Sequence, residues 1–259
     1  MRLVTISDRC LRGCGPPLRY RHAQDAWTTR KTIMTLTRRA GPDPLPMALL
    51  VLTVLSGSVD AVSYLGLGHV FTANMTGNVV ILGFAAVGTP GFSATASLIS
   101  LLAFLAGAVV AGRLDVHLRS RRLRILTTLA VQATVLTLAA AAAAVLGPPT
   151  LSGRYAVIAL VAVAMGLQNG TVRLLAVPDM TTTVLTRTLT GLASESSLAG
   201  GTNAGAVRRI ASVLCLLTGA GLGALALRGA GVAGVLLGLA LAVTLTAAGY
   251  AAHPGSRRP

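Results

Sequence analysis

Residues 56–78 read SGSVDAVSYLGLGHVFTANMTGN, directly after the apolar run PMALLVLTVL (46–55). The run and the start of the stretch together are long and apolar enough to begin a bilayer crossing, which takes roughly 20 mostly apolar residues. Asp60 stands inside it. A carboxylate at the centre of a membrane helix costs about 2.5–3.5 kcal/mol even on the lenient insertion scale. Gly66-Leu67-Gly68 then breaks the segment, and Thr72, Asn74, Thr76 and Asn78 follow at alternate positions. Span, acid, glycine break and polar helix start, in that order, describe a membrane protein whose backbone is interrupted at membrane depth. Such backbone is tolerated only inside protein or beside water, so a polar interior is expected around Asp60.

The whole chain agrees with that reading. Its 259 residues are 53% hydrophobic and 11% charged, with mean hydropathy +0.73. A soluble domain has about 25% charged residues. Segments such as 125–147 are apolar on every face, which argues against a soluble amphipathic bundle. Lys and Arg number 22 against 7 Asp and Glu, for a net charge of +15. The basic residues sit in the N-terminal extension and in short links between apolar segments, as the positive-inside rule requires, and not as a nucleic-acid footprint. The partners expected are the lipid bilayer and a small solute, with no nucleic acid; the oligomeric state is left open. Cys10 and Cys14 have no His at zinc-like spacing, and Cys215 lies in an apolar helix. No P-loop, dinucleotide fingerprint or HExxH occurs, so no metal, cofactor or catalytic residue is assigned.

Residues 1–44 are Arg-rich and broken by Pro16, Pro17, Pro42 and Pro44. They read as a disordered cytoplasmic extension, and Met34 is a more ordinary start for a membrane protein. The membrane domain runs over 45–252, with a short cytoplasmic tail at 253–259. Apolar segments fall at 45–67, 71–89, 93–112, 125–147, 155–176, 179–199, 209–227 and 231–251. The second and sixth are weak. The linker RLDVHLRSRRLR (113–124) and the N-terminus are both basic, so both are placed in the cytoplasm with an even number of crossings between them. That makes 71–89, and by the same logic 179–199, broken or re-entrant. The expectation is an all-α membrane protein with six full spans, two partial ones and both termini in the cytoplasm; eight full spans is the alternative.

The two halves, about 45–147 and 155–251, carry the same order of features. Gly57 falls on Gly166, Asp60 on Asn169 and, further on, Gly107 on Gly219, with an offset that drifts from 109 to 112. Three full spans per half is an odd number, so the halves are expected to be inverted, with a site near the midplane where the breaks meet. GSVDAVSYLGLGHVFTANMTGNVVILG (57–83) and AMGLQNGTVRLLAVPDMTTTVLTRTLTGLA (164–193) resemble the two hallmark blocks of the YoaK family, bacterial membrane proteins of unknown function. The resemblance covers about residues 45–250 and implies location and fold, not chemistry. Where relatives often have Thr-Gly in the second block, this chain has Thr186-Arg187.

The candidate pathway residues are Asp60, Asn74, Asn78, Gln168, Asn169 and Arg173, with helix breaks at Gly66, Gly68 and Pro178. Arg173 lies one turn beyond Asn169 on the same helix face, and an Asp60–Arg173 pair would offset both burial penalties. Asp60 could equally cap backbone freed by the break. Asn74 and Asn78 share a face and either line a pathway or hold helices together. Asp179 reads as a helix N-cap, and Gly107, Gly112, Gly219, Gly221 and Gly223 read as close-packing positions. The leading functional expectation is a small-solute secondary transporter or channel. A non-transporting scaffold or regulator is the second reading and an intramembrane enzyme the third.

Overall fold

The computed structural model describes residues 43–146, 150–175, 185–203 and 205–257. The extension up to residue 42, the Pro178 break and the Asp179 cap lie outside the described residues. Within them the regular elements are helices: α1 (Leu45–Gly66), α2 (Met75–Ala86), α3 (Ala94–His117), α4 (Arg121–Leu146), α5 (Leu151–Leu174), α6 (Leu185–Ser194) and α7 (Ala206–Ala252). Helices α1, α3, α4, α5 and α7 are long and apolar enough to cross a membrane. α2 has 12 residues and α6 has 10. At about 1.5 Å per residue neither reaches across a core of about 30 Å.

Local chemistry sets the helix ends. Asp43 Oδ1 accepts from Leu45 N–H at 3.0 Å as α1 begins. Ser93 caps α3 by accepting from Ala96 N–H at 3.2 Å, and Thr150 caps α5 through Gly153 N–H at 3.3 Å. α7 has 47 residues, a length of about 70 Å if straight, over twice the bilayer core. It is not continuous. Gly231 has φ 63° and ψ −178°, a region essentially confined to glycine, and divides α7 into arms 206–230 and 232–252.

α1 and α5 are the central helices. Their most apolar windows are 67% and 61% buried within the protein, against 28% for α3, 33% for α4 and 17% for α7. α1 packs chiefly on α7, and α5 chiefly on α3; α4 bridges α5 and α7. Both central contacts are backbone against backbone through glycine. A Cβ on Gly57 would strike Leu216 O and stand 2.9 Å from Ala220 N, and one on Gly219 would strike Val54 O. At the other contact a Cβ on Gly107 would strike Val163 O and stand 2.9 Å from Leu167 N, and one on Gly166 would strike Phe104 O. Gly223 likewise meets Ser58. Gly112 and Gly221 do not fit the close-packing expectation, since neither has an atom within 4 Å of where a Cβ would stand. They lie on the side of their helices turned away from these seams.

One face of the bundle gathers several ends. Arg121 pairs with Asp43 at 3.1 Å, joining the start of α4 to the start of α1. Arg122 donates to Ala251 O at 2.8 Å, adding the end of α7. Asp115 pairs with Arg124 beside Leu174 and Leu175 at the end of α5. The chain between Asp43 and Arg121 therefore leaves this face and returns to it.

Candidate functional site

Between α1 and α2 the backbone leaves regular structure over residues 67–74. Gly68 (φ 92°) and His69 (φ 59°) both turn through positive φ, and His69 N–H donates to Tyr64 O at 3.0 Å. The following residues run back beside α1 to the level of Asp60. Its Oδ1 accepts from Thr72 N–H at 3.1 Å and Ala73 N–H at 2.8 Å, and its Oδ2 accepts from Asn74 Nδ2. The acid in the apolar span thus supplies acceptors for amides that no helix can satisfy. It is 7% exposed.

Asn78 does the complementary work one turn into α2. Its Oδ1 accepts from Phe71 N–H at 2.9 Å and its Nδ2 donates to Phe71 O at 2.6 Å. Ser100 of α3 donates to the same carbonyl at 2.7 Å. Asp60 of α1, Asn78 of α2 and Ser100 of α3 together hold the interrupted segment from three helices.

A second polar group lies where the central helices cross. Gln132 Nε2 donates to Gln168 Oε1 at 2.6 Å, and Gln168 Nε2 donates to Ser56 Oγ at 3.0 Å. Ser56 Oγ in turn donates to Leu52 O at 2.9 Å. Gln132, Gln168 and Ser56 are each at most 1% exposed. This ladder ties α4, α5 and α1 together. Ser56 precedes Asp60 by four residues, so it shares a face of α1 with that carboxylate. Nearby, the Thr128 and Thr171 hydroxyls of α4 and α5 lie 2.9 Å apart.

The candidates thus do not gather in one cluster. Asp60, Asn74 and Asn78 come together at the first break. Gln168 belongs to the amide ladder. Asn169, half-buried, donates to Met165 O at 2.9 Å within α5. Gly66 ends α1 against Val232 and Leu227 of α7, and Gly68 makes the turn. The Asp60–Arg173 pair does not form. Arg173 is exposed in the last turn of α5, at the Asp115–Arg124 face. Asp60 lies 15 residues beyond Leu45, about 22 Å up α1 from that face. Gln132 was not anticipated from the sequence; the signal available was a lone amide in an Ala-rich span. Beside the break a groove of about 400 Å³ opens between α1 and the first arm of α7, bounded by Gly57, Asp60, Tyr64, Asn74, Leu216 and Ala220.

A family model described as "Protein of unknown function (DUF1275)" matches residues 48–249. The UPF0700 transmembrane protein YoaK of Bacillus subtilis (strain 168) is 34% identical over 155 residues, covering 58% of this chain and 66% of that relative, just under two thirds of its length. No solved structure matches.

Proposed function

This chain belongs to the DUF1275 family of membrane proteins, and on that premise we propose that it moves a small solute across the cell membrane, as a secondary transporter or channel built from two inverted halves. The observation that carries the proposal is the exchange of partners between the halves. The first helix of each half packs on a helix of the other: α1 on α7, and α5 on α3. In each contact the atom nearest the glycine is a carbonyl oxygen at the corresponding position. Gly57 meets Leu216 as Gly166 meets Phe104, and Gly219 meets Val54 as Gly107 meets Val163. Residues of the first helices differ by 109 and those of the partners by 112, the offsets of the internal repeat.

Inverted repeats that cross near a polar midplane are a recurring transporter design. Here the crossing holds the Ser56–Gln168–Gln132 ladder, and Asp60, which borders the groove, stands one helical turn further along α1. The six spans are α1, α3, α4, α5 and the two arms of α7, with α2 and α6 as the partial helices. The face bearing residues 113–124 and both termini is cytoplasmic under the positive-inside rule. Asp60, Asn74 and Asn78 form the wall that keeps the first break in place. The amide ladder forms the pathway.

A scaffold role is favoured by one observation: both Asp60 oxygens are occupied by the protein's own N–H groups. Reconstituted flux separates the two readings. Vesicles holding the full chain are challenged with a panel of small neutral, anionic and cationic solutes, and volume change is followed by light scattering. Transport predicts faster equilibration than in protein-free vesicles for at least one class. That gain should be lost in Gln132→Leu/Gln168→Leu, which removes the ladder without stranding either amide. Equilibration equal to empty vesicles for every class would leave the scaffold reading.

A further inference from the structure

We propose that the groove beside Asp60 binds an organic onium cation, a permanent positive charge wrapped in apolar substituents. The Asp60 carboxylate is its counter-ion, and the Tyr64 and Phe71 rings stand against it. The site goes beyond the transport reading and does not rest on it, since a ligand can lodge there whether or not any solute crosses.

Charge balance comes first. The acids among the described residues are Asp43, Asp60, Asp115 and Glu195. Three of them pair with an arginine: Asp43 with Arg121, Asp115 with Arg124 and Glu195 with Arg209. Asp60, which is buried, has no such partner among the described residues. It accepts three hydrogen bonds, from the N–H groups of Thr72 and Ala73 and from Asn74 Nδ2. N–H dipoles spread the charge of a carboxylate without cancelling it, and a charge taken out of water calls for an opposite one. No described residue supplies it, which leaves that part to a ligand.

The groove has the size and the walls for one. Its volume of about 400 Å³ lies within the roughly 300–1,000 Å³ of small-molecule sites, which are mostly apolar with a few polar groups. α7 contributes Leu216 and Ala220, while Tyr64 and Phe71 border the groove with Asp60. The two ring centroids are 4.9 Å apart, with the planes inclined at 31°. Aromatic faces attract cations, and quaternary ammonium groups are the ligands most often held this way.

The open positions on Asp60 narrow the class. A carboxylate has about four lone-pair sites, and three are taken. A primary ammonium would bring three N–H donors to a single open position between apolar walls. An onium centre brings none and asks only for the charge and the rings.

The test is equilibrium dialysis of tetraphenylphosphonium against the full chain in mixed micelles, corrected for protein-free micelles. Tetraphenylborate, of the same shape and opposite charge, is the control. The protein should bind the phosphonium saturably and the borate not. Asp60→Asn keeps an oxygen facing Thr72 and Ala73 but removes the charge. It should weaken phosphonium binding about tenfold or more, as loss of a buried charge partner does. Tyr64→Leu should weaken it about fivefold, the range of one cation–π contact, and Tyr64→Phe, which keeps the ring, should not. Equal uptake of the two ions, no saturable phosphonium binding, or an unchanged affinity in Asp60→Asn overturns the proposal. Should Asp60→Asn fail to fold, Tyr64→Leu against Tyr64→Phe decides, and equal affinities of that pair overturn it. Solute flux keeps the two proposals apart. Binding without flux upholds the site and defeats transport, and flux without binding does the reverse.

Discussion

Replacing Asp60 tests whether a charge in the membrane is held there by the fold's own backbone. In Asp60→Ala the N–H groups of Thr72 and Ala73 lose their acceptor, and Asn74 Nδ2 loses its partner. A stranded buried donor costs about 1–3 kcal/mol, so the two amides alone give about 2–6 kcal/mol. Asp60→Asn keeps an oxygen facing both amides. Two charge-assisted bonds become neutral ones, a loss of about 1 kcal/mol each, or about 2 kcal/mol together. Its new NH₂ faces that of Asn74, and a flip of the Asn74 amide relieves the clash. Arg173→Gln should change stability by no more than about 0.5 kcal/mol, as an exposed residue away from Asp60 does. The assay is equilibrium unfolding in mixed micelles, with backbone amide exchange at residues 72 and 73 as the local readout. Exchange there should rise most in Asp60→Ala. An alanine variant as stable as the asparagine variant, or unchanged exchange at both amides, would refute the capping role.

Alanine at Gly57, Gly107, Gly166 or Gly219 should abolish monodisperse, detergent-stable protein, because each new methyl meets backbone that cannot withdraw; alanine at Gly112 or Gly221 should be tolerated. Size-exclusion profiles of the six variants check this. Reporter fusions at residues 118 and 150 should give opposite signals, since α4 lies between them; equal signals would remove α4 as a single crossing.

The break after α1 was legible because glycines and a polar run interrupt an apolar segment, and 45–67 became Leu45–Gly66. The division between the segments 209–227 and 231–251 was legible as well, although the turn itself falls on Gly231. The partner of Asp60 was legible only as one of two readings: charge complementarity points to Arg173, and the glycine break points to capping of freed backbone, which is the one that forms. Which amides it meets was not legible, because backbone amides carry no letter in a sequence. Gln132 was not legible either, because a single amide barely alters the hydropathy of an Ala-rich span. Of five glycines read as packing positions, Gly112 and Gly221 failed, because which side of a helix meets a neighbour depends on a partner helix distant in the chain.

The exchanged packing of the central helices has a consequence for biogenesis. Ser58 of α1 donates to Gly219 O of α7, a contact spanning 161 residues. At roughly 5–20 residues per second, a ribosome delivers that partner about 8–30 seconds after Ser58. Throughout that interval α1, with its serines and its carboxylate, has entered the bilayer without the helix that covers it. α5 differs, because α3 precedes it and is ready when it arrives. The nascent chain is therefore asymmetric in time where the finished one is balanced in space. The burden falls on whatever machinery shelters the first helix, and degradation of stalled or truncated chains should begin from that uncovered face.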